Sequence, residues 1–132
     1  MKTFALRLKP EQDLKKSLKN FVVANNIEAG FILTAVGSLQ QATIRFANQN
    51  ESNVLLDKFE IVSLVGTLSV NGIHLHISIS DSQGITRGGH LVDGCLIYTT
   101  AEIVIGESKD LIFSRELDKQ TGYLELAIYQ RS

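Results

Sequence analysis

All three histidines of the 132-residue chain fall within "GIHLHISISDSQGITRGGHL", residues 72–91. His74 and His76 sit two apart in "IHLHISIS", an alternating run that puts His74, His76, Ser78 and Ser80 on one face and Ile73, Leu75, Ile77 and Ile79 on the other. At a rise of about 3.3 Å per residue their Cα atoms lie roughly 6.6 Å apart. Two imidazoles at that spacing can converge on one cation at Zn–N distances of about 2.0–2.1 Å. His90 lies beyond the "DSQG" turn and can return from a neighbouring strand or from another subunit. Three imidazoles with an open fourth position form the ligand set of a reactive zinc rather than of a closed structural one. Imidazole also suits copper, iron and nickel. The same residues equally describe a solvated strand face bearing two chance histidines, and the residues alone leave both readings open. Gly88-Gly89, directly before His90, lack Cβ atoms. They permit a left-handed backbone or the close approach of another chain, or they form a plain glycine-rich loop. No GK[ST] follows, so this is not a phosphate loop.

Few other residues offer chemistry. Glu102 in "YTTAEIVI" is the lesser candidate, as a general base facing the histidines or as their outer hydrogen-bond partner. A surface glutamate or an ion pair between subunits is the plainer account of it. Arg7, on the polar face of "KTFALRLK", is suited to holding an anion bidentately or simply to a solvated face. Cys95 has no nucleophile-and-base pattern around it and reads as a small buried apolar residue. Ser78 and Ser80 share the histidine face, but no GxSxG elbow is present.

The elements that must position these residues follow from periodicity. Residues 2–9 alternate as a half-buried strand. Pro10, with Glu11 and Asp13, opens an amphipathic helix over "PEQDLKKSLKNFVVANN", with Leu14, Leu18, Phe21 and Val22 on one stripe and Asn25-Asn26 at its end. The rest reads as sheet. Strands are expected at 29–39, 42–47, 54–70, 73–80, 95–105, 110–117 and 123–129, with a polar loop at 48–53. Asn71-Gly72 between alternating runs signals a hairpin. The expected class is α+β, a mainly antiparallel β-sheet packed with one main N-terminal helix, in a single domain over 1–132.

Composition narrows the function classes. The chain is 44% hydrophobic and 20% charged, with a net charge of −1. That balance argues against a strongly basic nucleic-acid binder. One cysteine excludes an internal disulfide framework and is compatible with a reducing, cytoplasmic setting. The N-terminus shows no secretory signal pattern, and no apolar run approaches the roughly 20 residues of a membrane span. The later strands carry more apolar surface than one short helix can cover. Either a second copy or a closed sandwich would cover the remainder.

The histidine stretch resembles the PPC domain, the "plant and prokaryote conserved" domain, in its stand-alone prokaryotic form. The matching pattern is H-x-H, a glycine turn, then G-G-H-L and a further glycine, here "HLHISISDSQGITRGGHLVDG". "DKFEIVSLVGTLS" is similar to the family's G-R-F-E-I-L-S-L-x-G segment, "GFILTAVGSLQQATIRFA" to its G-S-L strand pair, and "YTTAEIVI" to its T-x-E-V strand. Asp57-Lys58 stand where plant members usually have Gly-Arg, and Val62 where they have Leu. Plant members also lose the histidines, so the prokaryotic branch is the nearer one. The resemblance implies a compact α+β fold assembled as a homotrimer, with a divalent metal, zinc first, at His74, His76 and His90. No R-G-R-P sequence, the AT-hook of plant relatives, is present, which argues against direct DNA contact. Three functions rank in order. The first is a trimeric metal-binding module, with or without a small-molecule ligand. The second is a DNA-associated regulatory module acting through protein partners. The third is a metal-dependent hydrolase or lyase with Glu102 as base.

Overall fold

Strict alternation in the first residues produces β1 (Lys2–Leu8), described with the rest of residues 1–132 by a computed structural model. The single helix, α1 (Leu14–Ala24), buries Leu14, Leu18 and Val22. It begins four residues later than the proline suggests. Glu11 adopts a left-handed φ of 74°, and residues 11–14 are tied to the strand that follows the GGH segment. Glu11 N–H donates to Ile97 O at 2.8 Å and Leu14 N–H to Cys95 O at 2.8 Å. Asp13 is therefore the cap. One of its carboxylate oxygens accepts from Lys16 N–H at 3.0 Å, and the other accepts from Gly94 N–H at 2.7 Å. Asn25 closes the helix, and Asn26 follows in the left-handed region at φ 49°.

The expected strands at 29–39 and 42–47 are one strand, β2 (Gly30–Arg45). Register shifts between Ile32 and Thr34, Gly37 and Leu39, and Leu39 and Gln41 bend it without ending it. The 54–70 run is instead two strands, β3 (Asn53–Leu55) and β4 (Phe59–Ser69). The hairpin signal holds. β4 returns as β5 (Gly72–Ser80) with Ser69 opposite Gly72, so its two loop residues are Val70 and Asn71, one position earlier than expected. The glycine-rich segment is itself a strand, β6 (Thr86–Leu91). It is followed by β7 (Leu96–Glu107), β8 (Leu111–Leu117) and β9 (Leu124–Gln130).

Every pairing is antiparallel, and the main sheet runs β1-β7-β2-β4-β5-β6. It curls until β6 meets the far end of β2, where Leu91 faces Ile44 and His90 faces Arg45. The path β2-β4-β5-β6 thus closes on itself. One core of 21 buried residues fills the inside, and it includes Leu14 and Leu18 of the helix together with Leu39, Leu68, Ile79 and Ile103 of the sheet. Each such side chain contributes about 1.5–3 kcal/mol on burial. β8 and β9 form a separate two-stranded sheet. Phe113 roots it: its N–H donates to Glu28 O, and its carbonyl accepts from Ser69 Oγ and Asn71 Nδ2. The architecture is mostly antiparallel β with one eleven-residue helix, so the helical share is smaller than the α+β expectation implied. No helix is long and apolar enough to cross a membrane.

Candidate metal centre

The histidine face forms because β5 alternates. Leu75, Ile77 and Ile79 go into the core, which turns His74 and His76 outward. β6 pairs beside it in a register that sets His90 directly opposite His76. Gly88 and Gly89 make that pairing possible through close approach, not through a left-handed backbone. A Cβ on Gly88 would lie 2.5 Å from Ile77 O of β5, and one on Gly89 would lie 2.5 Å from Arg45 O of β2. β6 is wedged between two strands, and only glycine fits on both sides.

The three imidazoles converge. One ring nitrogen from each of His74, His76 and His90 lies within 4.8 Å of the others. Ring centroids are 5.1 Å apart for His74–His76, 5.2 Å for His74–His90 and 5.8 Å for His76–His90. A tetrahedral ion with Zn–N bonds near 2.0–2.1 Å needs ring nitrogens about 3.3 Å apart. Small rotations of side chains already facing one another supply the difference. His74 and His90 are half-buried and His76 is exposed, so one side of the cluster stays open. Burial pushes the His90 pKa down to about 4, helped by the positive charge of Arg45 and then by His74, Lys15 and His76. Burial lowers the His74 pKa too, followed by Arg115 and His76, against an opposing pull from Glu125. Both therefore stay neutral at pH 7, the protonation state that ligates a cation.

Two cavities flank the cluster, of about 590 and 550 Å³. They share Arg45, His74, His90 and Tyr123. The larger runs under the β8–β9 hairpin, which contributes Arg115, Tyr123, Leu124 and Glu125. Sequence reasoning missed these residues and Arg45. Arg45 is a neighbour of His90 only once β6 has closed onto β2, and Arg115 reaches the site only through the hairpin.

The remaining candidates lie elsewhere. Glu102 is exposed on β7, in register with Arg7 on β1 and Val36 on β2, and lines neither cavity. Arg7 Nε donates to Thr100 Oγ1 at 3.0 Å. Cys95 is buried. Its Sγ accepts from Thr43 N–H and donates to Thr43 O, each at 3.3 Å, and burial pushes its thiol pKa up to about 11. Ser78 Oγ is paired with Ser63 Oγ at 2.8 Å.

Comparison with known proteins agrees with this architecture. The bifunctional protein GlmU of Synechococcus sp. (strain JA-3-3Ab) is 52% identical over 128 residues, which is 97% of this chain and 21% of that protein. The chain thus spans about a fifth of the length of the curated relatives it matches. A hypothetical protein of Salmonella enterica superposes with a TM-score of 0.97 at 42% identity, covering 99% of this chain and 95% of that one. A metal-containing protein of Archaeoglobus fulgidus superposes with a TM-score of 0.81 at 27% identity, covering 96% and 94%. The family model of the Plants and Prokaryotes Conserved (PCC) domain matches residues 1–109, which hold the whole curled sheet and all three histidines. The chain belongs to the Plants and Prokaryotes Conserved domain family, the one its histidine stretch resembles.

Proposed function

We propose that this chain is a metal-binding module in which His74, His76 and His90 hold one divalent cation, zinc the best fit, with a fourth position open to a small ligand. The observation that carries this reading is the convergence of three imidazole nitrogens within 4.8 Å on a face that stays partly open. The donor set is right for zinc: three imidazole nitrogens, no thiolate, no carboxylate. A metal-containing relative in Archaeoglobus fulgidus with the same fold supports it. A zinc held this way is a Lewis acid with room for a ligand. The module works as a homotrimer. Val36, Val62 and Val65 on the outer sheet face and Ile128 on the hairpin are exposed apolar residues that neighbouring copies would cover.

Elemental analysis of untagged, chelator-free protein tests the site, beside a His74→Ala/His76→Ala double variant. About one metal per chain in the parent and none in the variant is expected. A parent that stays metal-free after incubation with zinc refutes the reading. Light scattering on the same samples reads the trimer.

A further inference from the structure

The larger cavity beside the histidines carries more positive charge than cation binding requires. Arg45 and Arg115 both line it, and both are half-buried. Neither is in an ion pair, since the only one in the chain joins Arg131 to Glu28 at the other end of the hairpin sheet. Arg115 is held in place from below. Its Nη2 donates to Thr67 Oγ1 of β4 at 2.9 Å, which leaves most of its five N–H donors for the cavity. Arg45 is set by the register that places it opposite His90. No guanidinium nitrogen is both buried and unpartnered, so the N–H donors that lack a protein partner are open to an occupant of the cavity. They stand on two different elements, β2 and β8, that line one space.

Glu125 is the one acidic residue lining that cavity, and none lines its neighbour. With a divalent cation at the histidines, two guanidiniums stand with it against one carboxylate. An occupant that balances this charge must be an anion. A planar guanidinium matches the oxygens of a carboxylate or phosphate bidentately. At about 590 Å³ the space suits a small molecule rather than a polymer. Leu117, Tyr123 and Leu124 add apolar lining.

We propose that this cavity binds a small molecule through a carboxylate or phosphate group, held by Arg45 and Arg115 with its oxygens turned toward the histidine cluster. The proposal rests on the metal-binding reading above and names the ligand class of that site. Zinc-loaded full chain is titrated calorimetrically with inorganic phosphate and, separately, with succinate, and zinc content is measured on every sample. Saturable binding of at least one probe is expected, and which one binds assigns the group. Arg45→Gln and Arg115→Gln should each weaken it at least tenfold while keeping about one zinc per chain. Arg7→Gln, outside the cavity, should leave it unchanged. Arg115→Lys keeps the charge and should retain part of the affinity, which separates loss of the anion site from loss of the fold. Zinc-loaded parent that binds neither probe, or glutamine variants that bind as the parent does, overturn the anion site and leave the metal reading intact. A parent that takes up no zinc overturns both.

Discussion

Gly89→Ala tests how the third imidazole is held. The added Cβ would lie 2.5 Å from Arg45 O and 2.7 Å from Ile44 Cγ2. Carbon contacts are favourable at about 3.5–4.0 Å, so β6 and β2 must part by about 1 Å. The first obstacle is backbone, which has no rotamer to escape into. Overpacking of this kind costs about 1–3 kcal/mol, and the stiffer unfolded chain gives back about 0.4–1 kcal/mol. At middle values the net loss is about 1.3 kcal/mol, or a urea midpoint lower by about 0.6 M at a slope of about 2 kcal/mol/M. The displaced strand carries His90, whose register partners are Arg45 and His76. Zinc affinity should therefore fall at least tenfold, read by competition with a chromogenic chelator. Ser82→Ala, in the exposed turn before β6, should leave both quantities unchanged. A Gly89→Ala protein with the parent's midpoint and zinc affinity would refute the wedge argument.

Metal-free protein should lose stability on acidification. Unfolded His90 protonates near its ordinary 6.5 and folded His90 only at about 4, so the unfolded state holds more protons in between. Stability is therefore full above pH 6.5 and falls as pH drops toward 4, with His74 acting in the same direction; urea midpoints across that range measure it, and His90→Asn should flatten the profile. Asp13→Ala removes the helix cap and the tie to Gly94 together and should cost about 2–3 kcal/mol by denaturant titration, more than the roughly 1 kcal/mol of a cap alone. Cys95 should resist thiol reagents in the folded protein, being fully buried with a thiol pKa near 11, and should react at a rate set by opening of the chain; fast labelling in native buffer would contradict that placement.

Much of the site was legible because period-two alternation is strong where one face is core. It placed His74 and His76 together on the outer face, and the Asn71-Gly72 signal located the hairpin that presents them. Cys95 was legible as a buried residue for want of any reactive neighbour. Other features depend on contacts that leave no local trace. The helix start was misplaced because Pro10 and Glu11 look like a first turn, whereas backbone bonds to Cys95 and Ile97 hold that segment against β7. β2 was split in two because its bulges shift the alternation near Gln40 and Gln41, which imitates a turn. Gly88-Gly89 can equally mark a loop, and only the close flanking backbones of Ile77 and Arg45 explain them inside a strand. Arg45 and Arg115 were overlooked because each reads as the polar member of an alternating strand.

The closure of β6 onto β2 also orders events in time. β4 and β5 are joined by two residues, so their hairpin forms from local contacts on a microsecond scale. That step presents His74 and His76 early. β6 follows through the five-residue turn 81–85, and its pairing with β5 sets His90 opposite His76 by local contacts too, whereas the closure that brings residue 90 to residue 45 is a long-range pairing of the kind that slows folding to milliseconds or longer. The three-stranded ribbon β4-β5-β6 thus displays all three imidazoles before the sheet closes. Zinc present during refolding meets these imidazoles on an open ribbon first, and closure of β6 onto β2 then fixes His90 in place.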